Sequence, residues 1–223
     1  MATSATRLHR IGSGTCLIVA PFFLLIGTLL ETRGPASLED HLAAVAQHQT
    51  ANEIGFAFGV YGFALMIPAV FGLVHVVRDR AVTLGHLGGG LALFGLVSFA
   101  FVAGTEFLLV AGADPALNRA AVIALNDRIG TSVVYNLLNM TEVVGVFLGF
   151  MLLAVALFRA NVTPAIVPLL LAVSVVSRFA LASFYAGVLL SQLLLVIALG
   201  YVGMRVLAQS DAAWQRPATG GPR

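Results

Sequence analysis

Apolar residues run through this chain in long blocks rather than in alternation, and short polar clusters separate the blocks. The first extends from Ile11 to Leu30, the second from about Ile54 to Val77, the third from about Leu87 to Ala111 and the fourth from about Ser132 to Phe158. Each supplies the ~20 residues that an α-helix needs to cross a hydrocarbon layer about 30 Å thick. From Pro164 to Leu207 the chain stays apolar for 44 residues, interrupted only by Arg178. One helix of that length would measure about 66 Å, twice the bilayer. The pattern therefore predicts two spans with a tight turn near Ala182–Ala186. The expected architecture is all-α, a polytopic membrane helical bundle of about six transmembrane helices forming one domain over 1–207. The polar stretch 208–223, with its Pro and Gly residues, is expected to be a disordered cytoplasmic tail.

The segments between the blocks set the expected orientation. Arg7, His9 and Arg10 precede the first block, as in a signal peptide, but 20 apolar residues exceed the usual h-region of about 7–15. No A-x-A site follows before Glu31, so the block reads as a retained anchor. With the N-terminus inside, eight of the 12 arginines fall on the inner side, leaving Arg33, Arg119, Arg128 and Arg178 outside. The excess of basic residues predicts an N-in, C-in protein of a bacterial cytoplasmic membrane. Two outer segments carry helix signals. Ser37-Leu38-Glu39-Asp40 resembles a capping box, with Leu38, Leu42 and Val45 following at helical spacing. Asp114-Pro115 reads as an N-cap with Pro at the first helical position, and Gly130 closes that helix. Both are expected to be short amphipathic helices on the outer face, either as interfacial padding or as lids over a pocket.

Composition strengthens the membrane reading. The chain is 59% hydrophobic and 10% charged, with a mean hydropathy of +0.98, whereas soluble domains average roughly 45–50% apolar and about 25% charged. All 12 basic residues are Arg. The lack of Lys excludes Schiff-base chemistry and a P-loop. The single cysteine, Cys16, excludes an intrachain disulfide and Cys-cluster metal sites. The arginines are scattered, with no basic stripe for nucleic acid.

Ionisable side chains in hydrocarbon cost at least ~2.5 kcal/mol each and are functional candidates by default. Glu142 lies near mid-bilayer in the fourth span, Glu106 near the outer end of the third and Arg178 in the outer part of the fifth. Tyr135, Asn139 and Glu142 stand at i, i+4 and i+7, one polar stripe with Asn136 beside it. Such a stripe must face protein, water or ligand. Glu53, Tyr61, Tyr185 and Gln192 sit at compatible outer depths on other spans. These residues predict a polar pocket open to the outside. One Arg for two acids leaves a buried carboxyl without a cation, and desolvation is expected to raise its pKa and keep it protonated near neutral pH. The same residues also fit a structural network in which Arg178 pairs with Glu106 or Glu142.

The remaining candidates are weaker. His41 and His48 are i and i+7, about 10.5 Å apart along a helix, too far to share one metal. His75 and His86 flank the Arg78–Arg80 turn and could reach one depth as a ligand pair. Gly55-x-x-x-Gly59, Gly145-x-x-x-Gly149 and Gly88-Gly89-Gly90 are helix-packing signals. No hydrolase elbow, zincin motif, phosphate loop or Asp-rich diphosphate motif occurs, and neither a metal site nor a cofactor is expected. The stretch from Leu84 to Leu96 and the segment from Glu142 to Pro164 resemble a broad family of bacterial six-span membrane proteins of unknown function. That resemblance implies the bundle and its topology and no reaction. Integral-membrane terpene cyclases are similar in size and in using buried acids, an analogy without matching motifs.

Three functions are compatible with this pattern. The first is binding or transport of a small lipophilic or cationic ligand through an outer-half polar pocket, with Glu142 and Glu106 buried as proton or cation sites and Arg178 as their partner. The second is a membrane-embedded isoprenoid or lipid cyclase or isomerase with a protonated Glu142 or Glu106 as general acid. The third is a non-catalytic accessory subunit. Membrane lipids are the expected partners in each case, and the pattern leaves ligand identity and oligomeric state open.

Overall fold

The computed structural model describes residues 4–32 and 37–215. Helices form wherever the apolar blocks lie, because a backbone in hydrocarbon must satisfy its N–H and C=O groups within its own segment. Among the described residues there are nine: α1 (Ser4–Leu30), α2 (Leu38–Gln47), α3 (Gln49–Val77), α4 (Val82–Gly112), α5 (Arg119–Gly130), α6 (Val133–Ala160), α7 (Ile166–Ala180), α8 (Tyr185–Ala208) and α9 (Asp211–Gln215). Five of them, α1, α3, α4, α6 and α8, are long and apolar enough to cross a membrane. The chain is thus a polytopic membrane protein. The fifth expected span is α7, which has only 15 residues, about 22 Å of helix. The turn between α7 and α8 falls at 181–184, close to the predicted position.

Local chemistry sets the helix ends. Ser37 Oγ accepts the Asp40 N–H at 3.1 Å and caps α2. Asn118 Oδ1 accepts the Ala121 N–H at 3.2 Å and caps α5. The second outer helix therefore starts four residues later than Asp114-Pro115 suggests. Asp114 instead holds a turn, its Oδ1 accepting the Ala116 N–H at 2.8 Å. Asn161 ends α6 with φ 50°, a left-handed conformation that Asn tolerates better than most residues.

Six helices close into a ring: α1 packs on α3 and α8, α3 on α4, α4 on α6, α6 on α7, and α7 on α8. The half of the ring toward α9 is solid. Leu17, Leu73, Leu153, Leu157, Leu171 and Leu199 are fully buried there. Glycines allow the close approaches, as packing without a hydrophobic driving force requires. A Cβ at Gly149 would stand 2.4 Å from the Ala92 N, and one at Gly95 would stand 2.6 Å from the Val146 N, so α4 and α6 touch backbone to backbone. Gly27 meets Gly55 and Gly59 in the same way between α1 and α3. Large apolar side chains such as Phe94, Phe101 and Ile197 face outward, where lipid would be their solvent.

The solid end is fastened by the segment after α8. Of the expected disordered tail 208–223, residues 211–215 form α9, and 216–223 lie outside the described residues. Arg10 Nε donates to Asp211 at 2.8 Å, and Arg10 Nη1 donates to the Leu207 carbonyl at 2.7 Å. Trp214 is buried and stacks on His75 with ring centroids 3.9 Å apart. Arg78 Nη2 donates to the Trp214 carbonyl at 2.8 Å. His75 is thereby engaged, while the exposed His86 ring contacts the Val82 carbonyl through Nδ1 at 2.8 Å. The His75–His86 ligand pair that the α3–α4 turn allowed in principle does not form, since their rings have separate partners.

Candidate functional site

At the other end, where α2 and α5 sit, the ring does not close on itself and encloses a cavity of about 710 Å³. All six ring helices line it. On α6 the lining face reads Tyr135, Asn139, Glu142, Val146 and Phe150, one helical stripe that is polar for its first half and apolar for its second. Leu96, Phe99, Val102, Glu106 and Val110 form the matching face of α4, polar only at Glu106. On α3 it is Asn52, Phe56, Gly59, Phe63 and Met66. From Tyr135 to Phe150 the cavity follows about 22 Å of helix. Its mouth is ionic and its floor is hydrocarbon.

The floor is aromatic. Phe63 on α3 and Phe99 on α4 stack with centroids 3.6 Å apart and planes 14° apart. Phe179, another lining residue, meets Phe147 edge to face at 5.5 Å. Within the lining of α7 and α8, Ser174 Oγ donates to the Ser191 carbonyl at 2.9 Å and ties the two helices together.

The mouth collects the charges. Glu142 lies within electrostatic range of Arg178 and Glu106, so the three ionisable residues singled out in the spans meet. Asn139, Tyr135 and Gln192 line the same cavity. Four other expected pocket residues lie elsewhere. Glu53 is exposed and accepts from Gln49 Nε2 at 3.3 Å. Asn136 is exposed and donates to the Gly130 and Ser132 carbonyls at 2.9 and 3.0 Å, a local cap. Tyr61 and Tyr185 are exposed and do not contribute to the lining. Depth along a helix selected Glu53, Tyr61 and Tyr185, and adjacency to the stripe selected Asn136, but rotation about the helix axis turns them away from the lumen.

Nor are the acids buried. Glu142 is half-buried, and Glu106 and Glu53 are exposed. The physical reason is the open lumen, since acids that border a roomy polar cavity are not sealed into the packing. The inference from a buried lone carboxyl therefore lacks its premise.

Several lining residues escaped the sequence reading: Glu31, Thr32, His41 and Asn52. Asn52 is buried and fully engaged. Its Nδ2 donates to Thr32 Oγ1 and to the His48 carbonyl, both at 2.9 Å, and its Oδ1 accepts the Thr32 N–H at 2.7 Å. This clamp fixes the exit of α1 at the mouth. Glu31, at the end of the first apolar block, had the right depth to be noticed. His41 reaches the mouth because Leu42 and Val45 anchor α2 in a small core with Ala113, against which Val122 and Ile123 of α5 also pack. Of the two expected outer helices, α2 contributes to the lining and α5 does not. Among the described residues no group of three or more His, Cys, Asp or Glu is placed to hold a metal ion. No family model, no curated protein and no solved structure matches the chain.

Proposed function

We propose that the chain is a six-span protein of a bacterial cytoplasmic membrane, with both termini inside, that binds or transports a small amphipathic molecule in the cavity of its outer half. The observation that carries this reading is the gradient along the lining, from Glu106, Asn139, Glu142 and Arg178 at the mouth to Phe63, Phe99 and Phe150 at the floor. A volume of about 710 Å³ lies within the ~300–1,000 Å³ of small-molecule sites. Such a gradient matches a ligand with a polar head and an apolar body. The arginine distribution supports the orientation, because six of the nine arginines among the described residues fall on the α9 side of the spans. On that topology α7 completes the sixth crossing, with its short length matched by the loop segments beside it.

The test is native mass spectrometry of the purified protein, wild type beside Glu142→Gln and Phe99→Ala, with the retained small molecules extracted and identified. A specific amphiphile held by the wild type and lost or weakened in both variants is the expected result. Only bulk phospholipid in all three, with equal melting temperatures, overturns it and favours an accessory subunit. The stacked Phe63–Phe99 pair also favours a second reading, a lipophilic substrate converted with Glu142 or Glu106 as general acid. In that case the extract holds a product that differs from the molecule supplied.

A further inference from the structure

The wall around the cavity is not of even height. Phe147 of α6 and Phe179 of α7 meet edge to face with centroids 5.5 Å apart, which sets the two helices level at that point. From there α6 continues toward the mouth as far as Val133, about 21 Å by helical rise. By contrast α7 ends at Ala180, the residue after Phe179. The partner of α6 on its other side, α4, is level with it where Gly95 meets Gly145 and runs on to Gly112, about 25 Å further. The outer helices do not make up the difference. The main contacts of α2 are with α3 and α4, those of α5 are with α4 and α6, and the two touch each other. The rim is therefore lowest at the turn 181–184 between α7 and α8.

That turn has the chemistry of a segment in hydrocarbon. The α3–α4 turn holds Arg78, Asp79 and Arg80, whereas Leu181-Ala182-Ser183-Phe184 carries no charge. Leu181 is 37% and Phe184 65% exposed, a costly display in water and a neutral one in lipid. The Leu181 N–H donates to the Ser177 carbonyl at 3.0 Å and the Phe184 N–H to the Leu181 carbonyl at 2.9 Å, so these donors are satisfied within the segment. With 15 residues, α7 supplies about 22 Å of a hydrocarbon layer about 30 Å thick. The turn completes the crossing and stands at the level of the outer lipid chains. Ala182 and Ser183 both line the cavity and are exposed, so the wall ends with them.

We infer that the cavity opens sideways over the α7–α8 turn, and that its occupant is a single-chain amphiphile drawn from the outer leaflet rather than from water. The head stays at the rim, beside Tyr135, Asn139 and Arg178, while the chain swings over Ala182 and Ser183 toward Phe63 and Phe99. Neither end then leaves the kind of solvent it prefers. At about 710 Å³ the lumen has the size of a small-ligand site, which suits one chain and not a two-chain phospholipid. The inference rests on the ligand-binding reading given above and adds the phase and the route.

Affinity at equilibrium does not depend on the path, so the experiment measures position and rate. The full-length protein is placed in phosphatidylcholine nanodiscs, and the emission of Trp214, taken from the unmodified protein, is subtracted. Position is read from Phe184→Trp. Strong quenching by phosphatidylcholine brominated along its acyl chains and weak quenching by aqueous iodide are expected, and the reverse overturns the doorway. Rate is read from Phe99→Trp at the floor, or from Phe63→Trp if that reporter does not fold, on stopped-flow mixing with ω-bromoundecanol. Saturable quenching is expected, and adding Ala182→Phe, or Ser183→Phe as a second obstruction, is expected to slow it about tenfold. Ala116→Phe, which adds the same ring to the outer segment before α5, is expected to leave the rate within about twofold. Saturable quenching at one rate with and without the obstructions overturns lateral entry and leaves the ligand-binding reading standing. No saturable quenching in either reporter overturns both.

Discussion

Replacing Gly149 by Ala tests whether the backbone contact between α4 and α6 holds the solid half of the ring together. The added methyl would lie 2.4 Å from the Ala92 N, 2.6 Å from its Cα and 2.8 Å from its Cβ. Non-bonded carbons settle at about 3.5–4.0 Å, so the helices must part by about 1 Å, and a gap of that size forfeits a quarter to a half of each dispersion contact along the seam. Overpacking of this kind costs about 1–3 kcal/mol. The intrinsic preference of a helix for Ala over Gly returns about 0.5–1 kcal/mol. The net loss is about 2 kcal/mol, taking the top of the range because the obstructing atoms are main chain and cannot rotate away. Gly90, also on α4 but turned away from the seam, has nothing within 4 Å of its Cβ position. Gly90→Ala should therefore stabilise by up to ~1 kcal/mol. For a chain of this size the two variants should melt roughly 6–12 °C apart, measured in detergent as the fraction surviving in the monodisperse size-exclusion peak after heating. The double variant Gly149→Ala with Ala92→Gly should not recover, since two of the three closest atoms stay in place. Equal melting of Gly149→Ala and Gly90→Ala would refute the reasoning.

Arg10→Ala removes the ion pair to Asp211 and the bond to the Leu207 carbonyl, so α9 should loosen and the emission of Trp214, the single tryptophan, should shift to the red; an unchanged spectrum would show that the Trp214–His75 stack holds α9 by itself. Asn52→Leu deprives the Thr32 N–H of its acceptor and should cost about 1–3 kcal/mol in the same melting assay, whereas the neighbouring exposed Glu53→Gln should stay within ~0.5 kcal/mol.

The contrast between Asn52 and Glu53 also shows where reading the sequence stopped working. Helix existence was legible, because runs such as Ile54–Val77 admit no other structure in hydrocarbon. Depth was legible too: counting 1.5 Å per residue placed Glu106, Glu142 and Arg178 at levels where they could meet. Azimuth was legible only where polar residues repeat along one helix. Tyr135, Asn139 and Glu142 define their own face, and that face lines the cavity. Glu53 and Tyr61 have no such repeat on α3. One residue is about 100° around a helix, so the step from Val60, which lines the lumen, to Tyr61 is enough to face outward. The tail misled for a different reason. Its composition is that of a disordered segment, yet Trp214 and Asp211 find partners on α1 and α3 that are some 140 to 200 residues away in the chain. Local composition carries no record of such contacts.

The same partners bear on whether the cavity serves binding alone or transport. Below Met66 and Phe150 the ring is filled by fully buried leucines, so the lumen ends about halfway down. Passage to the α9 side would require the solid half to open along a seam between helices. Two seams, α4–α6 and α1–α3, are drawn together by glycines with backbone atoms in direct contact. The third strong contact, α1 with α8, is also close-packed, since a Cβ at Gly203 would stand 2.7 Å from the Gly14 carbonyl oxygen, and it is bridged by Arg10 to the last carbonyls of α8 and to Asp211 of α9. Packed interfaces of this kind have discrete arrangements rather than continuous ones. Opening at α1–α8 would break the Arg10 bonds as a set, and it would release Trp214 from His75 in the same movement. Of the three remaining ring contacts, α3–α4, α6–α7 and α7–α8, the one between α6 and α7 has no glycine of either helix against the other, and α7 is the shortest helix of the ring. It also carries Arg178, which stands within electrostatic range of Glu142 on α6. A ligand that competes for Glu142 therefore acts directly on the α6–α7 joint, while the arginine latch holds α1–α8 shut. Coupling between ligand and helix movement, in transport or in release to the bilayer, is best placed at α6–α7.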